Sequence, residues 1–275
     1  MKASYRQVVA LTRGLEVLRA ASLLKSGTVG SLHQFTGLDK ATVIRMLETL
    51  MSEGYVAKGG TDDLPEYSVT GKAMQLSSGF VLHHEVARVS DALMDKFAAR
   101  LEWPVTSATF DGDAMVVAAS RGTFAGLHTI RQPGYRFPLL VTAAGLSYVA
   151  FLPEAQTNEI LDRLEHSFDA TGWNNLVKKR ADLKKHLTMI KRQGYAMGDD
   201  NYYRLRHDGI LWGFSVPITG RQVMYGTIGL MILTHILKRG EGIKKYLPAL
   251  QALAAEIADT LDRSTARETG TRSKS

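Results

Sequence analysis

The stretch from Ser31 to Val56 restricts the possible folds more than any other, because it sets two short amphipathic helices on either side of a glycine turn. Ser31 and Gln34 form the S-x-x-Q pattern of a capping box, which predicts a helix over Leu32 to Thr36, closed by Gly37. Asp39 is a good N-cap for a second helix over Lys40 to Glu53, stopped at Gly54. Two helices joined this closely are the helix-turn-helix pattern. Upstream, Val8, Leu11, Leu15 and Leu18 recur at helical spacing and predict an amphipathic first helix that ends near Ser26-Gly27. Downstream, Tyr55-Val56-Ala57-Lys58, the turn-rich residues 59–63 and Tyr67-Ser68-Val69 have the place and length of a β-wing.

Turned at about 100° per residue, the helix after Asp39 puts Val43, Met46, Leu47, Leu50 and Met51 on a core face. The opposite arc carries Ala41, Thr42, Arg45, Thr49 and Ser52. Its small residues would let the backbone approach a major groove about 12 Å wide, and Arg45 is long enough to reach guanine or phosphate. Lys40 in the first turn and Lys58 in the wing are placed to meet phosphates, whereas Asp62 and Asp63 would turn the wing tip away from them. Alone, Lys40 and Arg45 read equally well as solvated charges; the surrounding pattern favours the DNA reading.

Charge does not settle the matter. The chain of 275 residues carries a net +7, which permits a polyanionic partner. Through Gln75, however, nine Lys/Arg stand against seven Asp/Glu. Much of the surplus lies in a later helix (Lys178, Lys179, Arg180, Lys184, Lys185, Lys191, Arg192) and in the tail. The absence of cysteine excludes disulfides, thiolate zinc sites and cysteine nucleophiles, and it suits a reducing compartment. Arg6, Arg13, Glu16 and Arg19 interrupt any signal peptide. The apolar run Phe137 to Leu152, broken by Pro138, Thr142, Gly145 and Ser147, is shorter than the roughly 20 residues of a membrane span. A cytoplasmic protein with no membrane partner is expected.

Gly71 to Arg100 suits one or two helices, the first tethering two domains. His83-His84-Glu85 does not make a metal site, since neighbours on a helix diverge, and no cofactor is expected. Thr106 to Phe110 and Met115 to Ala119 flank the turn Asp111-Gly112-Asp113; a strand is expected over His128 to Gln132; Trp212 to Ile218 and Val223 to Leu233 form a second hairpin. Helices are expected over Ala143 to Leu152, Glu154 to Leu164, Leu176 to Gln193 and Tyr246 to Arg263. This predicts an α+β chain whose second domain sets helices on a mostly antiparallel sheet. Thr142 can cap the helix that begins at Ala143, leaving backbone N–H groups among small side chains where a carboxylate could sit; a plain helix start packed with small residues is the alternative.

The segments Thr12 to Leu18, Thr42 to Leu50 and Glu53 to Val56, with Phe137-Pro138-Leu139, Thr142 to Gly145, Gly194-Tyr195 and Gly209 to Pro217, resemble the IclR family of bacterial regulators over nearly the whole chain. Within the family the chain looks closest to activators of phenylpropionate and hydroxyphenylpropionate catabolism. The resemblance implies a winged helix-turn-helix (1–70), a linker helix (71–84), a GAF-like effector-binding domain (85–265) and a basic, disordered tail (266–275). It implies a homodimer or dimer of dimers on an operator, a small organic acid as effector, RNA polymerase as a further partner, and a role for Arg13 beside the recognition helix. DNA contacts are then expected from Arg13, Lys40, Ala41, Thr42, Arg45, Thr49 and Lys58. Effector contacts are expected from Ala143, Ala144, Asp199, Trp212, Gly229 and Met231. Asp39-Lys40-Ala41 departs from the family's usual recognition-helix start, so no operator sequence carries over. Two other function classes compete. An α/β enzyme lacks support from any G-x-S-x-G, H-E-x-x-H or P-loop motif, and an RNA- or protein-binding module would differ in its footprint and salt dependence. A repressor answering a different acid is the alternative within the family.

Overall fold

The computed structural model describes residues 8–61, 63–79, 81–122, 132–166 and 172–272. The chain divides into two compact units, residues 2–80 and residues 81–275, the latter taking in Met1 as well. Asp62 and the segment His128 to Arg131 lie outside the described residues.

In the first unit, α1 (Val9–Leu24), α2 (Val29–Thr36) and α3 (Lys40–Ser52) precede a hairpin of β1 (Val56–Gly60) and β2 (Pro65–Val69). The hairpin pairs Val56 with Val69 and Gly60 with Pro65. Gly27 adds a one-residue third strand, exchanging hydrogen bonds with Tyr67 at 3.0 and 2.9 Å. Val17, Ala20, Ala21, Leu32, Val43, Leu47, Val56 and Tyr67 form the core. Two local expectations are corrected. α2 begins at Val29 because Thr28, not Ser31, is the cap: its hydroxyl accepts the Ser31 N–H at 3.2 Å. Of the apolar stripe predicted for this segment, Leu18 packs against the core and the rest does not. Val8, Leu11 and Leu15 are 67, 62 and 56% exposed, while the smaller Ala20 and Ala21 are buried. Small side chains, with Gly14 against the Met46 sulfur, let α1 approach α3 closely and leave the larger apolar residues outside.

A 3-10 turn over Gly71–Ser77, capped by Thr70, precedes α4 (Val81–Leu101). The expected tether over 71–84 is therefore two pieces rather than one helix. Beyond it, β3 (Val105–Asp111), β4 (Ala114–Arg121), β5 (Arg136–Pro138), β6 (Ala196–Met197), β7 (Leu211–Thr219) and β8 (Met224–Leu233) make one sheet in the order β5-β4-β3-β8-β7-β6. Every pairing in it is antiparallel. Alternation along the strands builds two cores. Trp212, Phe214, Val216, Ile228, Leu230 and Ile232 pack with α4 and α9 (Arg239–Arg272). Ala108, Met115, Val117 and Phe137 pack with α5 (Ala143–Phe151), α6 (Glu154–His166) and α7 (Arg180–Gln193). The fold is thus α+β, as expected. A two-turn helix, α8 (Asp200–His207), lies where the sequence showed no element. α9 continues to Arg272, so most of the tail expected to be disordered is helical. Once a helix is nucleated, each added residue gains one hydrogen bond for one residue fixed, and no proline interrupts 249–272.

Candidate functional site

The exposed arc of α3 is organised by Asp39. Its carboxylate accepts the Thr42 N–H at 2.8 Å and the Thr42 hydroxyl at 2.7 Å. These two hydrogen bonds, with the nearby positive charge of Arg13, hold the Asp39 carboxyl below its ordinary range. Arg13 on α1 thereby stands within electrostatic reach of the N-terminus of α3, where Lys40 and Ala41 are both exposed. Arg45 projects from the same arc, and Thr49 is anchored below it by a hydroxyl bond to the Arg45 carbonyl at 3.0 Å. Lys58 is exposed on β1. Among the described residues Arg13, Lys40, Arg45 and Lys58 make no ion pair. A basic surface without internal ion pairs can give its charge to a phosphate backbone.

In the second unit, α5 starts at a constrained corner. Thr142 caps it, accepting the Gly145 N–H at 3.2 Å while donating its own hydroxyl proton to the Pro138 carbonyl at 2.7 Å. A side chain at Gly145 would stand 2.0 Å from the Leu139 oxygen, so only glycine fits the first turn. The Asn174 side-chain oxygen accepts both the Leu139 and Leu140 N–H groups at 3.1 Å, and its amide donates to the Asp113 carbonyl at 3.0 Å. The loop is tied from three sides. What remains is the first two N–H groups of α5, on Ala143 and Ala144, which meet no acceptor among the described residues.

Ala143 and Ala144 are among the residues that line a cavity of about 40 Å³, together with Thr106, Tyr203, Gly229 and Met231. Register explains the lining. Gly229 pairs with both Thr106 and Ser215, and Met231 pairs with Gly213, so these positions share one face of the sheet. Trp212 pairs with Ile232 on the other face. It packs under α4 and α9, with its indole N–H donating to the Leu237 carbonyl at 2.9 Å. The expectation that Trp212 walls the cavity is corrected, because side chains of a strand alternate faces and Met231 claims the opposite one. Asp199 is also diverted: its carboxylate accepts the Tyr202 N–H at 2.9 Å as the cap of α8, and its own N–H donates to the Val141 carbonyl at 2.8 Å. Arg121 bonds Asp91 at 2.5 Å, and Arg204 bonds Asn201, so neither is held toward the cavity. Thr106, Ser215 and Tyr203 were not expected at the cavity. The first two could have been found from strand register; Tyr203 sits on the helix the sequence concealed. No group of residues able to hold a metal occurs among the described residues.

A helix-turn-helix unit with an unpaired basic arc, in one chain with an α/β unit whose helix terminus lines a cavity, defines a DNA-binding regulator that answers a small molecule. The chain belongs to the IclR family: the profile for the IclR helix-turn-helix domain matches residues 10–60, and that for the bacterial transcriptional regulator IclR C-terminal domain matches residues 79–259. It is 27% identical to the HTH-type transcriptional regulator KdgR of Dickeya chrysanthemi over 248 residues, 89% of this chain and 77% of the relative. A transcriptional regulator from Rhodococcus sp. RHA1 shares the fold with a TM-score of 0.65 at 20% identity, covering 94% of this chain and 100% of that one. An IclR homolog from Microbacterium hydrocarbonoxydans, solved with 4-hydroxybenzoate, superposes with a TM-score of 0.64 at 15% identity, covering 92% of this chain and 99% of that one. These relatives are transcriptional regulators, not enzymes, and the chain is one of them. Among the described residues no helix is long and apolar enough to cross a membrane.

Proposed function

We propose that this regulator is a cytoplasmic homodimer that activates catabolic genes when an aromatic acid binds at the N-terminus of α5. The observation that carries the reading is the pair of unmet N–H groups on Ala143 and Ala144 at the positive end of α5, where both residues line an apolar cavity. Such a terminus binds carboxylate, and the walls around it suit hydrocarbon. The aromatic character is supported by the likeness to activators of phenylpropionate catabolism and by the fold relative solved with 4-hydroxybenzoate. The activator sign rests on the first likeness alone. The α3 arc reads the operator: Arg45 contacts a base, Ala41, Thr42 and Thr49 line the groove, and Arg13, Lys40 and Lys58 grip phosphates. Residues 71–84 transmit the effector's preference for one arrangement of the chain, since a ligand shifts an equilibrium only by its differential affinity for the states.

The test is an anisotropy titration on the upstream intergenic DNA, with and without phenylpropionate and 4-hydroxybenzoate, at two salt concentrations. Site-specific binding that an acid modulates supports the reading, and equal binding to scrambled duplex defeats it. Arg45→Ala is expected to weaken operator binding by about 1–3 kcal/mol, the contribution of one good base contact, with acid binding unchanged. Unchanged operator affinity would remove Arg45 from the readout. A reporter that falls rather than rises in the presence of the acid would make the protein a repressor.

A further inference from the structure

The cavity at α5 is smaller than the ligand proposed for it. Its volume of about 40 Å³ accommodates a carboxylate, whereas an apolar cavity that takes up benzene measures roughly 150 Å³. Tyr203 is one of the side chains that line it. Tyr203 is 5% exposed, and its ring lies in a slot that two glycines leave open. A Cβ on Gly198 would stand 2.4 Å from the ring carbon Cε2 of Tyr203, and one on Gly213 would stand 2.8 Å from the hydroxyl oxygen. That Gly198 position is also 3.2 Å from the Ala143 nitrogen, so the slot and the anion-binding turn adjoin.

We propose that Tyr203 is a resident occupant of the ring subsite and that an aromatic acid binds by taking the place of its phenol, the carboxylate resting on the Ala143 and Ala144 N–H groups. This rests on the effector reading of the α5 terminus. Tyr203 belongs to an element suited to the exchange. α8 is an eight-residue helix, too short to be stable without its packing, and Arg204, Leu205 and Arg206 on it are exposed. It is held at its start by the Asp199 cap and by Arg239 of α9, whose guanidinium bonds both Asp200 carboxylate oxygens, and at its end by the Gly209 N–H on the Tyr203 carbonyl at 3.2 Å. The slot is cut to a phenol, so the acids that compete best are phenols and phenyl rings on a short carboxylate arm. A short aliphatic acid fits beside Tyr203 without moving it. The Tyr203-out form is the binding-competent one for aromatic acids, and their apparent affinity is reduced by the fraction of molecules in that form.

The full-length protein is titrated calorimetrically with 4-hydroxybenzoate, phenylpropionate and pyruvate, as wild type, Tyr203→Ala and Tyr203→Phe. Removing the ring is expected to raise affinity for the two aromatic acids about tenfold or more, with pyruvate changed much less. Tyr203→Phe, which keeps a ring in the slot, should stay near wild type in the ratio of aromatic to aliphatic affinity. Hydrogen exchange on the wild type supplies a readout that needs no folded variant: amides of 200–209 should exchange faster with saturating 4-hydroxybenzoate. Pyruvate binding in all three proteins, with no aromatic gain in Tyr203→Ala, would overturn the Tyr203 proposal and leave the anion site standing; so would unchanged or increased protection of 200–209. No binding of any acid to any of the three proteins would overturn both.

Discussion

Tyr148 on α5 stacks on Phe110 with ring centroids 5.0 Å apart, and burial pushes its pKa up to about 12. The raised value means that the folded state holds the phenol proton more tightly than the unfolded chain does. The corresponding stability is fully present below pH 10 and is lost as pH rises from about 10 toward about 12. The loss amounts to at most about 3 kcal/mol. Tyr148→Phe should flatten the alkaline limb of a denaturant-stability profile between those limits; an unchanged limb would place the alkaline sensitivity elsewhere. At this scale the sequence was an uneven guide. Asp39, Thr142 and the glycine stop at Gly37 were legible because a cap or a left-handed turn depends on a few adjacent residues. Asp199 was legible as an acid but not as a cap, because the helix it starts was not visible. Trp212 and Met231 are alike as expected effector contacts, and only the register that pairs Trp212 with Ile232 shows that they face opposite ways.

At the scale of elements, the corner before α5 is assembled from distant pieces. Asn174, 7% exposed, satisfies two N–H groups of the 139–140 segment and reaches the β3–β4 turn at Asp113. Asn174→Ala would strand two buried donors, a change that costs about 3 kcal/mol. We expect that loss in urea unfolding, together with weaker binding of every carboxylate effector, because the α5 terminus is no longer held. A variant with normal stability and normal acid binding would show that the turn holds itself through Thr142 and Gly145. The helices α3, α5 and α6 and both long hairpins could be read from periodicity and turn chemistry. The elements that escaped, β5, β6 and α8, are two to eight residues long. Pieces so short carry too little periodic pattern to announce themselves, and they form because a packed sheet or a cap at each end holds them.

For the whole molecule, the unexplained feature is the exposure of Val8, Leu11 and Leu15 at the start of α1, the part of its apolar stripe that Leu18 does not carry into the core. Exposed large apolar side chains at helical spacing suit an association surface, and a second copy of the chain is the partner our homodimer reading requires. Leu11→Asp combined with Leu15→Asp should yield monomers by light scattering and weaken operator binding by tenfold or more, about 1.4 kcal/mol. Dimers that persist with unchanged operator affinity would move the interface elsewhere. The sequence by itself determined the helix-turn-helix and wing, the antiparallel sheet with helices against it, the family, and the capped start of α5. All of these follow from contacts between residues close in the chain or from a repeat that tracks the core. The tertiary structure alone decided which face of α1 is buried, which face of the sheet Trp212 serves, and that Tyr203 occupies the slot between Gly198 and Gly213. Each of those outcomes depends on which surfaces meet across tens of residues of chain, where packing and strand register choose among side chains that local pattern treats alike.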